Sequence, residues 1–400
     1  MSKEWYIRKI GPAWIGVRSQ RSGVRSQKTE VRRSVICCLS SAFCSQLSVI
    51  CFLLSVFCLC IASDAIYGQL QQDKLGLREA PSPRAELDLQ SIPYKIIYET
   101  YRKTNGDESW ELYMINADGS NAVNLTNTPE TDEMYPHVSP DGTKICFVVD
   151  EGTGRRKTRN VYYMDIDGTE HIKVATNARE PCWSFDSKSI AYLKGEYERY
   201  STREYATGEL FIYDLETRLH RPHPNKQLHH IYAICWSPHG KWFVCAIHGG
   251  MGYSDTILAF KYNGTEVFDL ARWGVKGCRP DFNFDGSKIV WGETDWNLCI
   301  GDIDLTSSEF RVKNIREVVS CPRDNKVYHV DFSPDGKHIA FSHGPFEGGQ
   351  QVGGMAKGWN ICVGDLTGNW VQITTDGNHN KEPDWVPIQA KRRLQYKALK

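Results

Sequence analysis

The stretch YPHVSPDGTKICFV, residues 135–148, and the stretch HVDFSPDGKHIAFS, residues 329–342, are two copies of one phrase. Each copy has an apolar anchor residue, then an Asp-Gly turn, then an apolar strand. Asp-Gly supplies the positive φ angles of a tight turn, and a Pro ahead of it presets the backbone. The phrase therefore predicts a β-hairpin. Further copies begin at Glu180, Ala233 and Arg279, and a sixth, EPDWVP from Glu382, stops after its first half.

The copies recur at the spacing of a propeller blade. Their anchor positions are 45, 53, 46, 50 and 53 residues apart. These anchors are Val138, Trp183, Trp236, Phe282, Phe332 and Trp385. A second strand–turn phrase, such as ELYMINADGSN from Glu111, alternates with the first. Two hairpins per repeat make a four-stranded antiparallel unit of about 50 residues. One such sheet cannot bury both apolar faces alone, so we expect the units to pack around an axis with the anchor aromatics between them.

The incomplete sixth copy predicts how the ring closes. No second strand follows EPDWVP, and the strand YKIIYET from Tyr94 has no partner strand before it. Pairing these two segments would hide both sheet edges. We therefore predict an all-β fold over residues 94–388: a six-bladed β-propeller of four-stranded antiparallel blades, closed by the N-terminal strand.

Residues 1–65 have the pattern of an export leader. Residues 1–34 hold nine Lys or Arg against two acidic residues, and the 28 residues from Val35 to Ala62 carry no charge. A basic stretch before an apolar run is typical of a signal peptide, and this run is also long enough to span a bilayer. We expect an apolar helix that is either cleaved or kept as an anchor at residues 35–62. A mis-assigned start is the alternative. Residues 66–93 have the composition of a linker, and residues 389–400 form a basic tail.

The leader predicts a periplasmic or extracellular body that meets the membrane only through this segment. The rest of the chain holds 39 basic and 46 acidic residues. This mildly acidic body lacks the electrostatic footprint of a nucleic-acid-binding protein. Its eight cysteines form no Cys-x-x-Cys pair, which argues against a zinc knuckle or a thioredoxin-like motif. No Gly-x-Ser-x-Gly motif of a serine hydrolase occurs either.

The innermost strand of each blade is expected to border the central channel, and its residues are the candidates for a binding site. Three positions before the anchors stand the candidate ligand-binding residues of the channel mouth: Tyr135, Glu180, Arg279, His329 and Glu382. One position before the anchors stand His137, Cys182, Cys235, Asp281, Asp331 and Asp384. Carboxylates, an Arg and a His that converge can bind a polar ligand or a metal. The alternative is a water-filled ring whose members pair with one another.

The phrase P-x-W-S-P-D-G-x-x-I-A-F followed by E-L-Y-x-x-x-x-D-G resembles the WD40-like propeller repeat of the TolB family, a periplasmic component of the Tol–Pal envelope system. Similar repeats occur in the propellers of prolyl-oligopeptidase-type peptidases. The resemblance covers about residues 94–388. TolB's α/β domain is not expected here, because only about 28 residues separate the leader from the first strand.

The resemblance implies a non-enzymatic binding or assembly module of the cell envelope. We expect a monomer without catalytic residues or cofactor, and an envelope protein or a glycan as its partner. The alternative comes from a likeness to metal-dependent oligogalacturonate lyases, whose channel histidines hold a divalent ion. In this chain His137 and His329 are the metal candidates, with His248 and His343 also placed near strand ends.

Overall fold

The computed structural model describes residues 87–104, 107–153, 157–195, 207–304, 309–346 and 357–388. The leader with its expected apolar helix, residues 66–86 of the linker and the basic tail lie outside these residues. The chain divides into two compact units, Met1–Ser82 and Pro83–Lys400, and every described residue belongs to the second. Within the described ranges, no helix is long and apolar enough to cross a membrane.

The described residues form six four-stranded antiparallel sheets, which confirms the predicted blades. Blade 1 consists of β24 (His379–Val386), β1 (Lys95–Thr104), β2 (Asp107–Asn116) and β3 (Val123–Asn124). Blade 2 consists of β4 (Asp132–Val138), β5 (Lys144–Glu151), β6 (Thr158–Asp165) and β7 (Ile172–Thr176). Blade 3 consists of β8 (Ala178–Trp183), β9 (Ser189–Gly195), β10 (Thr207–Asp214) and β11 (His220–Pro222).

The remaining sheets follow the same order from the innermost strand outward. Blade 4 consists of β12 (Ile231–Trp236), β13 (Trp242–His248), β14 (Asp255–Lys261) and β15 (Val267–Asp269). Blade 5 consists of β16 (Cys278–Phe282), β17 (Lys288–Thr294), β18 (Asn297–Asp304) and β19 (Arg311–Ser320). Blade 6 consists of β20 (Asn325–Phe332), β21 (His338–Pro345), β22 (Asn360–Asp365) and β23 (Trp370–Gln372). Short 3₁₀ turns lie at Leu89–Ser91 and Leu270–Trp273.

The innermost strands contact one another in a closed ring. In order around the axis, the contacts join β4 to β8, β8 to β12, β12 to β16, β16 to β20, β20 to β24 and β24 back to β4. Each of these strands contains the start of one copy of the repeated phrase, and each carries one of the six anchors. The channel is therefore bordered by the residues that precede the anchors, as predicted.

The ring closes where β1 pairs antiparallel with β24. Ile96 lies opposite Trp385, and the Trp385 side chain is fully buried. This pairing confirms the predicted closure. The first turn of blade 2 crosses the end of β24 so closely that a Cβ on Gly142, at φ 72°, would lie 2.4 Å from the carbonyl oxygen of Pro387. Only glycine fits there, since both the φ angle and the space exclude a side chain.

The core lies between the blades. The buried apolar residues fall into six clusters, and each cluster joins the facing sheets of neighbouring blades. Of the predicted wedge aromatics, Trp183, Trp236 and Phe282 are buried in three different clusters. The eight cysteines of the body are free thiols and six of them are buried, where a thiol packs as a small hydrophobe.

Candidate functional site: the central channel

Every innermost strand has a β-bulge three positions before its anchor. The pairing register shifts at this point in all six strands. The six bulge residues have φ between 46° and 54° and are Tyr135, Glu180, Ala233, Arg279, His329 and Glu382. A non-glycine residue at such an angle stores about 1–2 kcal/mol of backbone strain. Bulges of this kind re-aim a side chain, and here all six residues line one small cavity in the channel.

The structure therefore brings the five predicted ligand-binding residues together. They lie within the innermost strands and line a cavity of the channel. That they form a ligand site at the channel mouth stays a prediction. Their cavity has a volume of about 40 Å³, which holds only a few water molecules because one water needs about 10–15 Å³ by this measure.

The six bulge residues form a ring around the small cavity, here called the bulge-residue ring. Two of its members contact Glu382. One carboxylate oxygen of Glu382, Oε1, lies 2.9 Å from Arg279 Nη1 and 2.9 Å from His329 Nε2. Burial raises the pKa of Glu382, but Arg279 and His329 outweigh it and hold the pKa at about 2. Burial also lowers the pKa of His329 to about 4, so its imidazole is neutral at pH 7. His329 Nδ1 lies 3.0 Å from the hydroxyl of Ser342. The charges of Arg279 and Glu382 therefore pair with each other, and the neutral His329 contacts the same carboxylate.

The other two predicted residues are tied to neighbouring blades. Glu180 Oε2 accepts a hydrogen bond of 2.8 Å from the backbone N–H of Ala233. Burial raises the pKa of Glu180, and the nearby Arg279 opposes that shift. The Tyr135 ring has the Arg279 guanidinium 6.0 Å from its centroid, and its own backbone N–H donates to Glu99 Oε2 at 2.6 Å. The bulge-residue ring thus links blades across the channel.

A second cavity of about 190 Å³ adjoins the first and shares five lining residues with it. It contains the residues one position before the anchors, which form two arcs of different chemistry. The arc on blades 5, 6 and 1 is acidic and consists of Asp281, Asp331 and Asp384. The arc on blades 2, 3 and 4 consists of His137, Cys182 and Cys235.

Backbone amides of the next blade hold two of the three aspartates. Asp384 Oδ2 accepts from Val138 N at 2.7 Å, and Asp281 Oδ2 accepts from Phe332 N at 3.0 Å. Burial raises the pKa of Asp384 to about 8 and that of Asp281 to about 6. Burial, together with the charges of these two neighbours, also raises the pKa of Asp331 well above its usual range. Because the pKa of Asp384 is about 8, the acidic arc holds a proton at pH 7.

The walls and rim of the second cavity are apolar. Its walls include the anchors Trp183, Trp236, Phe282 and Phe332. Its rim consists of residues two positions after the anchors, in the turns that join the innermost strand to the second: Pro140, Phe185, Pro238 and Phe284. The exposed fractions of Phe185 and Phe284 are 49% and 37%.

Sequence reasoning missed this rim. A signal was present in the repeat, because Phe185 and Phe284 stand where three other copies have Pro140, Pro238 and Pro334 after a Ser. An aromatic residue in place of a turn proline on the surface is a departure from the repeat.

The metal candidates are not gathered into a metal site. In the described part of the chain, no group of three or more His, Cys, Asp or Glu is arranged to hold a metal ion. His137 lies in the second cavity with its Nδ1 3.7 Å from Asp384 Oδ2, while His329 contacts Glu382. His248 pairs with an aspartate at the far end of β13, and the His343 ring lies beside a tryptophan of blade 6, both outside the lining of either cavity.

Comparisons with known proteins agree with the propeller architecture. The family described as "WD domain, G-beta repeat" matches residues 222–257, which run from the end of β11 into β14. No curated protein sequence matches the chain.

Among solved structures, TolB from Acinetobacter baumannii is 20% identical with a TM-score of 0.55, over 74% of this chain and 67% of that one. Hydrazine synthase of Kuenenia stuttgartiensis is 12% identical with a TM-score of 0.52, over 74% and 47%. A chain of a nidogen/laminin complex is 8% identical with a TM-score of 0.50, over 74% and 100%. At these identities the likeness is one of fold alone. By its repeats, its blade topology and these similarities, the chain is a six-bladed β-propeller of TolB-like fold.

Proposed function

We propose that the chain is an exported, non-enzymatic binding or assembly module of the cell envelope, and that a protein partner docks on the rim of the second cavity. The observation that carries the proposal is the exposure of Phe185 and Phe284 around the opening of a cavity of about 190 Å³. Aromatic side chains exposed around a concave site are typical of binding surfaces. An apolar rim of Phe and Pro favours a protein segment over a glycan, whose hydroxyls need polar partners.

The bulge-residue ring supports binding rather than catalysis. A general acid or base must come within hydrogen-bond reach of its substrate. Glu382, Arg279 and His329 are engaged with one another around a cavity of only about 40 Å³, which has no room for a substrate. Export is supported by the basic and apolar leader, and an envelope role by the resemblance to TolB repeats.

The test is site-specific photocrosslinking of the full-length protein to envelope proteins. A photoreactive residue replaces Phe185 on the rim in one variant and Leu219 in the control, since Leu219 is 68% exposed between β10 and β11 on the outer edge of blade 3. We expect one protein species to crosslink from position 185 and not from position 219. After purification, that protein should bind the wild type at least tenfold more tightly than Phe185→Ser/Phe284→Ser. Equal crosslinking from both positions, or equal affinities, would contradict the proposal.

The lyase alternative is tested on the same protein by its thermal midpoint. A ligand that binds the folded state raises the midpoint by mass action. A rise with Mn²⁺, Ca²⁺ or Zn²⁺ that a chelator reverses and an oligouronide enlarges would overturn the non-enzymatic proposal. We expect no change across this panel.

A further inference from the structure

We propose that the second cavity is a subsite for a single cationic side chain, a lysine ammonium or an arginine guanidinium, presented by a segment of the partner protein. This inference rests on the proposed function, because the segment reaches the cavity over the rim, and it adds the chemistry by which the segment is recognised.

The charged groups of the second cavity lie on one side of it. Asp281, Asp331 and Asp384 stand on three consecutive blades and face the same space. The opposite arc offers two thiols and His137, whose pKa is lowered by burial in the channel, so it adds no positive charge at neutral pH. Behind the cavity, Arg279 is neutralised by Glu382 at 2.9 Å. A cation that enters therefore meets carboxylates on one side and no free positive charge on the other.

The three aspartates of the acidic arc do not make the same hydrogen bonds. Asp384 and Asp281 each accept the backbone N–H of the anchor in the next blade. By this rule Asp331 should accept from Trp385 N, but that N–H donates instead to Asp384 Oδ1 at 2.6 Å. Within the described residues, the Asp331 carboxylate consequently accepts no hydrogen bond. It is the aspartate of the arc that is free to take a donor from a ligand.

The shape and lining of the second cavity suit a cationic side chain. A volume of about 190 Å³ is more than ten times what one water needs by the same measure, so a whole side chain fits. Trp183, Trp236, Phe282 and Phe332 line its walls. Aromatic faces attract cations, and they also pack against the methylene stem of Lys or Arg. The apolar rim suits apolar neighbours of the basic residue.

Binding of a cation should also displace protons. The arc holds a proton at pH 7, because burial and repulsion from Asp281 raise the pKa of Asp384 to about 8. The pKa of Asp331 is also raised, by burial and by the charges of Asp281 and Asp384. A positive charge beside them lowers those pKa values, so protons leave as the cation enters. A neutral ligand of the same shape has no such effect.

The test is isothermal titration calorimetry of the full-length protein with short capped peptides. The probes are acetyl-Leu-Lys-Leu-amide, its arginine equivalent, and acetyl-Leu-norleucine-Leu-amide as a neutral analogue of equal length. We expect the two basic peptides to bind at least tenfold more tightly than the norleucine peptide. Titrations at pH 7 in buffers of different ionisation enthalpy should show proton release with the basic peptides only.

Asp331→Asn is the variant, because it keeps the shape and removes the carboxyl group that can ionise when a cation enters. Glu216→Gln is its control, since Glu216 is an exposed carboxylate outside the cavity. We expect Asp331→Asn to lose at least tenfold in affinity for the lysine peptide together with the proton release, while the control keeps both. Circular dichroism and the thermal midpoint establish that each variant is folded. Equal affinity for lysine and norleucine peptides, or an unchanged Asp331→Asn, would overturn the inference.

Two outcomes distinguish the cation subsite from the proposed function and from occupation of the cavity by the chain itself. A partner that crosslinks at position 185 but binds Asp331→Asn as tightly as the wild type would leave the proposed function standing and sink the cation subsite. Residues 389–400 include Lys391, Arg392 and Arg393 and come shortly after Pro387, whose carbonyl oxygen lies against Gly142 in the first turn of blade 2. If removing residues 389–400 raised the affinity for the lysine peptide, the chain itself would be the occupant and the assignment to a partner would be wrong.

Discussion

Lys381 and Glu99 show how the channel is built at the scale of single residues. The Lys381 ammonium lies 3.1 Å from Glu99 Oε1, and the exposed side-chain fractions are 1% and 0%. Burial raises the pKa of Glu99 to about 7, and the charge of Lys381 opposes that shift. Lys381 also lies over the Trp110 ring, 4.6 Å from its centroid. The pair joins β24 to β1 beside the bulge at Glu382.

We predict that Lys381→Met lowers the free energy of unfolding by about 3–5 kcal/mol at pH 8, because it leaves a buried carboxylate without its partner. The loss should shrink as the pH falls toward 5. Without Lys381 the pKa of Glu99 rises further, so the folded variant binds a proton that the folded wild type does not, and its stability relative to the wild type falls as the pH rises. Urea unfolding at several pH values measures this.

The double variant Lys381→Met/Glu99→Gln is the control for this prediction. It removes the charge together with its partner, so we expect it to recover most of the stability lost in the single variant and to remove the dependence on pH. A single variant as stable as the wild type at pH 8 would show that the pair does not stabilise the joint.

Bulges are the feature that matters at the scale of the strand. Each innermost strand has one bulge residue at φ near 50°, and this bulge directs a side chain into the channel. In five blades that side chain is charged or aromatic, but in blade 4 it is the methyl group of Ala233. Strand β12 therefore has the same backbone strain, although its bulge directs no polar side chain into the channel.

We predict that Ala233→Gly stabilises the protein. It relieves about 1–2 kcal/mol of strain and costs about 0.4–1 kcal/mol in unfolded-state entropy, so the free energy of unfolding should rise by about 0.5–1 kcal/mol. Ala246→Gly is the matched control, because Ala246 is a buried residue of β13 in the same blade and is not among the residues with positive φ. It should lower stability by about 1 kcal/mol. Chemical denaturation measures both, and a loss of stability in Ala233→Gly would refute the strain argument.

The difference between hairpins and bulges explains what the sequence could predict. An Asp-Gly turn is encoded by the two residues that form it, so the hairpins and their number were predictable. The ring closure was predictable from the incomplete sixth copy. The bulge at Glu180 is formed without a glycine, so no residue type marks its positive φ and it was not predictable. Glu99 and Lys381 lie far apart in sequence, and no local pattern announces their contact. For the same reason, the shared position of the five predicted residues could be read from the repeat, while their contacts with one another in the channel could not.

At the scale of the whole molecule, the ring is held shut by the pairing of β1 with β24. Every other blade takes its four strands from consecutive chain, so its innermost hairpin closes over a few residues. Blade 1 alone joins strands from the two ends of the propeller. Its closure carries the largest entropic cost, because it orders the longest stretch of chain.

We predict that a disulfide across this joint stabilises the entire propeller. Lys95 and Val386 are paired in the β1–β24 register, and Lys95 is exposed. Lys95→Cys/Val386→Cys should, when oxidised, raise the free energy of unfolding by up to about 5 kcal/mol, since the bond restricts a long loop of the unfolded chain. The same variant in reductant is its own control for the two substitutions, and both forms are compared by thermal unfolding. An unchanged midpoint in the oxidised form would show that the ring opens elsewhere first.

The position of β24 also sets an order of events during biosynthesis. A ribosome delivers β1, β2 and β3 first, but the strand that lines the channel in their blade is the last of the propeller to be made. Until then blade 1 exposes the open edge of β1, and blades 2 and 6 lack the face that blade 1 buries for each of them. Completion of the propeller must therefore wait until synthesis has reached Val386. For the export that we propose, this order leaves the propeller unfinished for as long as its last strand has not been made.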